Sequence, residues 1–435
     1  MVRAAGAGLV RRLGAVLATL VLAACTTPSA TDEQPATSPT PSTTSAPSEA
    51  PTTTDPESPT SWGPTTGEVE EARDLVSRWT PEQLAGGVIV GRFHGTDPSV
   101  PADMVRDLHL AGVSVTGANV ADEAQVRSMT AGLSAAAAED GRTFPPVIGV
   151  DQEGGYVSHL RGVATEFPHF QSAGLALQQD RAVGRRATRE AAVWTGLELR
   201  ELGFTWVFAP VADVTIGAAD PTIGARSPSL DPGVAADAID AAVRGYDAAG
   251  IVSTTKHFPG HGTATSDSHD TLPVVDATLD QLREHDLPPF EAAVTAGAPA
   301  VMLSHLDLTS IAPGVPASIA PEVYDLLRDD LGFEGVAITD SLGMGALGGQ
   351  RMPAVRALAA GADLLLMPVD THETHRLVSR AISSGEVSRD RAEEAAARVV
   401  AAQLWQQRVA EDRPVPDDVA ARAQVAADAL ESAAY

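Results

Sequence analysis

The chain has 435 residues and a formal net charge of −27, with 57 acidic against 30 basic side chains. A surface that acidic excludes nucleic acid and electrostatic adhesion to anionic lipid. One cysteine excludes a disulfide within the chain, and the length allows one large domain or two small ones.

At the N-terminus, Arg3, Arg11 and Arg12 precede an apolar run from Leu13 to Ala24. The run is too short to span a bilayer and has the charge order of a signal peptide. It ends Leu22-Ala23-Ala24-Cys25, small residues before cysteine that resemble a bacterial lipobox. Residues 1–24 are therefore expected to be a lipoprotein signal peptide, and Cys25 the lipidated mature N-terminus. Arg11-Arg12 leaves Sec and twin-arginine export both open. Residues 25–66 are Ser, Thr, Pro, Ala and acidic residues with little to bury, so they cannot offset their ordering entropy and read as a disordered tether. The expected location is extracytoplasmic, with the lipid as the membrane contact.

Residues 67–410 carry short apolar runs separated by helix-like stretches. The runs are Gly87-Val88-Ile89-Val90, Gly112-Val113-Ser114-Val115, Pro146-Val147-Ile148-Gly149-Val150 and Thr205-Trp206-Val207-Phe208. Ile251-Val252-Ser253-Thr254, Ala300-Val301-Met302-Leu303, Gly335-Val336-Ala337-Ile338 and Asp363-Leu364-Leu365-Leu366 follow. Between them lie segments such as Arg185 to Leu202, closed by Gly203 in helix-stop position. Eight strand-like runs alternating with helices predict an α/β fold, a single (β/α)8 TIM-type barrel. A doubly wound open sheet is the alternative, but no glycine-rich dinucleotide loop follows the first run. Residues 411–435 read as a C-terminal helix or tail.

Polar residues fall where such a barrel places its chemistry. Asp151 follows the third run, Lys256 and His257 the fifth, Ser304 and His305 the sixth, and Asp340 the seventh. Strand C-termini share one face of a barrel, so these positions converge. Lys256 is the only lysine among 30 basic residues. A compact ammonium kept where every other cation is arginine marks a site that distinguishes a point charge from a planar fork. Metal is not expected: Pro259 and Gly260 prevent a helix that would bring His257 and His261 to one face, and His261 reads as a brace for the loop.

Lys256-His257-Phe258-Pro259-Gly260-His261-Gly262, followed by Asp267-Ser268-His269, resembles the signature of bacterial β-N-acetylglucosaminidases of glycoside hydrolase family 3. Asp151-Gln152-Glu153-Gly154-Gly155 and Thr339-Asp340-Ser341-Leu342-Gly343-Met344 are similar to two further blocks of that family, in the same order. The resemblance implies that Asp340 is the nucleophile, His269 the general acid/base and Asp267 its orienting partner. It also implies that Asp151, Lys256, His257 and Arg226 bind the non-reducing sugar. Where the family has arginines after the third strand, Tyr156 and His159 stand here, with Arg161 nearby. His159 is therefore a sugar contact only if it, rather than Arg161, takes over the arginine's place.

The residue types suit those roles. A retaining glycosidase needs a carboxylate to attack the anomeric carbon and a second group to protonate the leaving oxygen and then activate water. An aspartate on one ring nitrogen of a histidine frees the other for proton transfer. The implied substrates are β-GlcNAc-terminated oligosaccharides or muropeptides, with no cofactor and a monomeric enzyme. Three rivals remain: a phosphorylase on the same site, a non-catalytic sugar-binding lipoprotein, and a Schiff-base aldolase using Lys256. The aldolase leaves Asp340 and the Asp267/His269 pair without work.

Overall fold

The structure, a computed structural model, describes residues 55–220 and 222–435. The expected signal peptide, Cys25 and most of the expected tether lie outside the described residues. Eight parallel strands form the barrel: β1 (Ile89–Gly91), β2 (Gly112–Val115), β3 (Val147–Val150), β4 (Trp206–Val207), β5 (Val252–Phe258), β6 (Ala300–Leu303), β7 (Val336–Thr339) and β8 (Leu365–Leu366). Their order is β7-β6-β5-β4-β3-β2-β1-β8, every pair parallel. A parallel bridge between Ile338 and Leu364 joins β7 to the chain entering β8 and closes the ring.

All eight apolar runs contain strand residues; β2 and β6 match their runs end to end, and the other six have shifted ends. Gly87 belongs to a helix, Pro81–Gly87, and β1 starts at Ile89. The larger shift is in β5, which runs through Lys256 and His257 to Phe258 instead of ending at Thr254. Its register against β6 slips between Lys256 and Phe258. That irregularity breaks the alternation of faces, so two consecutive side chains, Lys256 and His257, line the same cleft.

The core in and around the barrel is packed by side chains such as Ile89, Ile148, Trp206 and Phe208, all buried. Burial of each such group contributes roughly 1.5–3 kcal/mol. Helices between the strands cover the outside and are capped by their own sequence. In Arg181–Glu201, Asp180 accepts from the amides of Ala182 and Val183 at 2.9 and 3.0 Å, and just beyond the last turn Gly203 has φ 88°.

The folded chain reaches further towards the N-terminus than composition indicated. Trp62 is buried in the core, Gly63 lies against Trp405, and Thr65 caps the helix Thr66–Val76, so the end of the expected tether is part of the folded domain. At the other end, Arg389–Asp412 lies against the barrel. The helix Val419–Ala434 packs Ala423, Ala427 and Leu430 against Phe167 and Ala173. No helix among the described residues is long and apolar enough to cross a membrane.

Candidate active site

Strand C-termini frame a cleft of ≈ 440 Å³, within the range of small-molecule sites. Asp151, His159, Arg226, Lys256, His257, His269 and Asp340 all line it. Asp267 does not line the cleft but holds His269. Cys25 lies outside the described residues.

One wall is a charge network from the ends of β3, β4 and β5. Lys256 Nζ lies 2.5 Å from Asp151 Oδ1 and 2.6 Å from Glu153 Oε1. Arg226 grips Glu153 from the other side as a fork, with Nε and Nη2 each donating at 2.9 Å. The lone lysine now has its reason. Its ammonium sits in a slot that is 2% exposed and bridges two carboxylates, leaving one of three N–H groups for the cleft. Burial alone would push the Glu153 carboxyl up, but Arg226 and Lys256 outweigh it and hold the group far below the ordinary carboxylate range. For Lys256, burial pulls down while Asp151 and Glu153 raise it, and the net direction is up.

Asp213 organises the next layer. It is fully buried, its Oδ1 accepts from the amides of His257 and His261 at 3.1 and 2.6 Å, and its Oδ2 accepts from His257 Nδ1 at 2.7 Å. The ring of His257 is thereby turned with Nε2 towards Arg226, at 3.5 Å. His261 Nε2 bonds the Ser268 hydroxyl at 2.9 Å, a brace inside the loop that carries Asp267 and His269.

Asp340 follows β7 and is partly exposed to the cleft. Its Oδ1 accepts from the Ser341 amide at 2.7 Å. Burial would raise this carboxyl, yet His257, His305, that amide and Lys256 lower it below the usual range, so it stays ionised. His305, fully buried, donates from Nε2 to the Ser341 carbonyl at 3.0 Å and accepts at Nδ1 from Ser318 at 2.7 Å. This fixes the backbone that aims Asp340.

His269 stands at the mouth, its side chain 65% exposed. Its Nδ1 donates to Asp267 Oδ1 at 2.8 Å, and its own amide donates to the same oxygen at 2.9 Å. Nε2 is left for a proton in transit. The loop rests on the chain after Asp340: Gly345 N–H donates to His269 O at 2.9 Å and Ala346 N–H to Ser268 O at 3.1 Å.

His159 is half-buried at the edge of the cleft, with its amide on the Asp151 carbonyl at 3.3 Å. Arg161 is not an available substitute for the family's arginine. Its guanidinium is spent outside the cleft on the carbonyls of Gly155 and Tyr156 and on Glu166. Tyr156 is exposed and packs edge-on against His169. No group of three histidine, cysteine or carboxylate side chains among the described residues is arranged to hold a metal.

Sequence reasoning passed over Glu153, Asp213, His305 and Arg92 as site residues. Glu153 was inside a motif already quoted, and His305 was seen at a strand end but given no role. Asp213 lies six residues beyond β4, too far for a rule that inspects only the residue after a strand.

Comparison with known proteins follows the same outline. Residues 86–402 match the glycosyl hydrolase family 3 N terminal domain. A β-hexosaminidase of Stenotrophomonas maltophilia is 38% identical over 262 residues, which is 59% of this chain and 76% of the relative. The solved structure of a glycoside hydrolase family 3 β-N-acetylglucosaminidase from Paenibacillus superposes with a TM-score of 0.73 at 32% identity, covering 80% of this chain and 68% of that one. A β-N-acetylhexosaminidase from Beutenbergia cavernae gives 0.66 at 30% identity, covering 75% and 98%.

Proposed function

The chain belongs to glycosyl hydrolase family 3 and is a glycoside hydrolase, and on that premise we propose that it is a retaining exo-β-N-acetylglucosaminidase. It removes non-reducing terminal β-GlcNAc from cell-wall-derived or chitin-type oligosaccharides. The observation that carries this reading is the meeting, in one cleft, of an ionised aspartate, an aspartate-held histidine and a buried wall of hydroxyl-binding groups.

In this mechanism Asp151, Lys256, His257 and Arg226 hold the sugar. An Asp340 oxygen attacks the anomeric carbon as its bond to the leaving oxygen breaks, and His269 Nε2 gives that oxygen a proton. Water then enters, His269 takes its proton, and the hydroxide displaces Asp340 from the anomeric carbon. Asp267 supports the positive ring before the first step and again after the second, and between them it holds the neutral ring with Nε2 free to take the proton of water. A histidine acid/base, unlike a carboxylate, does not repel phosphate, so a phosphorylase on the same site is the second reading. Product analysis with and without phosphate separates the two.

A 2-fluoro or 5-fluoro GlcNAc-type inactivator is expected to add one sugar mass to the peptide holding Thr339-Asp340-Ser341. Label on any other peptide removes Asp340 as the nucleophile. The lipobox motif and the Ser/Thr/Pro-rich stretch after it support anchoring to the cell membrane through Cys25. Cys25→Ser should move the protein from the membrane to the soluble fraction with its specific activity unchanged, and retention in detergent-free membranes argues for another contact.

A further inference from the structure

Three permanent cations line the cleft. Arg226 and Lys256 are neutralised by Glu153 and Asp151, whereas Arg92 has no acidic partner among the described residues. Arg92 directly follows β1, and its backbone is fixed at both polar groups. Its N–H donates to Thr371 Oγ1 at 3.3 Å, and its carbonyl accepts from that hydroxyl at 3.4 Å. The side chain reaches the loop after Asp340. There its Nη1 fills the space left by the missing side chain of Gly343, since a Cβ on that glycine would lie 2.7 Å away. A half-buried guanidinium loses hydration, and without a counter-charge nothing in the protein returns that cost. In so acidic a chain, a cation in a cleft that meets no carboxylate among the described residues is placed for an anion from outside.

Topology says which part of the substrate brings it. The sugar-holding wall comes from β3 to β5, while Arg92 stands on the opposite arc, separated from β7 by β8 alone. On that arc the loop carrying His269 rests on Gly345, two residues beyond Gly343. His269 protonates the leaving oxygen, so the leaving group lies on this side. We propose that Arg92 is a specificity-determining residue that pairs with a carboxylate on the leaving part of the substrate, so that acid-bearing aglycones are preferred to neutral ones. The inference rests on the reading that Asp340 and His269 cleave β-GlcNAc in this cleft. A planar fork matches a carboxylate with two parallel hydrogen bonds, which a neutral hydroxyl cannot reproduce.

The test compares kcat/KM for GlcNAc-β-1,4-N-acetylmuramic acid with that for the same disaccharide after reduction of its carboxyl to an alcohol. Wild type should favour the acid by about ten- to a hundredfold, the worth of hydrogen bonds to a charged group. Arg92→Ala should collapse that ratio, and Arg92→Lys should restore part of it. Gly343→Ala keeps the arginine but pushes its head aside, and should lower the ratio too, which protects the test against a misfolded Arg92 variant. Turnover of both disaccharides at equal kcat/KM by wild type overturns the role of Arg92 alone, whereas turnover of neither overturns the underlying reading with it. A ratio unchanged in both Arg92→Ala and Gly343→Ala also overturns it. If added phosphate accelerates wild type with release of GlcNAc 1-phosphate, and Arg92→Ala loses that response, the anion is the acceptor and the assignment to the leaving group falls.

Discussion

The two ends of the barrel each hold a buried knot of carboxylates and cations, and they differ in how much bonding capacity is left over. At the N-terminal end, Asp363 sits just before β8 with no exposed surface. Its Oδ1 accepts from Arg391 at 2.7 Å and Arg398 at 3.2 Å, and its Oδ2 from Arg328 at 2.5 Å and the Ala337 amide at 2.9 Å. A carboxylate offers about four lone-pair sites, and all are taken. At the C-terminal end, Lys256 keeps a free N–H, Asp151 is 23% exposed with Oδ2 unpaired among the described residues, and His269 keeps Nε2. A saturated knot can only hold the fold together. An unsaturated one, opened to a cleft, can bind and react.

The sharpest way to break this contrast is to neutralise one aspartate at each end. Asp340→Asn should lower kcat by several orders of magnitude, because the covalent step has no substitute, while the melting temperature stays close to wild type. Asp363→Asn should do the reverse. It leaves three arginines around a neutral amide and should cost about 3–5 kcal/mol of stability, with near-normal turnover per folded molecule. Calorimetry and active-site titration on both variants decide the matter. A stable Asp363→Asn would mean that the arginines repack, and a strongly destabilised Asp340→Asn would mean that the nucleophile is also structural.

The same contrast explains what could be read from the sequence. The eight strands announced themselves because parallel barrel strands are buried on both faces and read as continuous apolar runs. Asp151, Asp340, Lys256 and His257 were legible because strand ends gather at one face, and Lys256 doubly so because it is the only lysine. Arg92 was invisible for the converse reason: one arginine among many carries no compositional signal, and its lack of a partner is a fact of three dimensions. Asp363 was read as the first residue of a strand run, since nothing local reveals that Arg328, Arg391 and Arg398 will converge on it. The slip in register that brings Lys256 and His257 to one cleft is likewise set by neighbouring strands.

Glu153 belongs to both descriptions and gives a smaller, pH-dependent effect. Its carboxyl is held low by Arg226 and Lys256 against the upward push of burial, as Asp363 is held low by its arginines. The folded chain therefore takes up these protons less readily than the unfolded chain. Their stabilisation is complete above the unfolded carboxylate range near pH ~4 and is lost as pH falls through the depressed folded values. Glu153→Gln should cost less at neutral pH than Asp363→Asn, because Asp151 still faces Lys256, and it should flatten the loss of stability below pH ~4. Denaturant titrations from neutral to acid pH measure the slope. An unaltered slope would show that the two cations do not hold the Glu153 carboxyl below its ordinary range.

The smallest expected effect lies at the rim, where His159 stands in place of a family arginine. With its guanidinium turned outside the cleft onto Gly155, Tyr156 and Glu166, Arg161 does not take over the contact. An imidazole is shorter than a guanidinium and presents fewer donors, so sugar binding in the ground state should be weaker than an arginine would give. His159→Arg should therefore lower KM a few-fold with kcat nearly constant, since the added contact is made equally in ground and transition states. His159→Ala should raise KM by a similar factor. If neither variant changes kcat/KM, the ring faces solvent when sugar is bound, and His159 leaves the site. A fall in kcat for His159→Arg would instead show that the longer side chain reaches the Asp340 side of the cleft and disturbs the reacting bond.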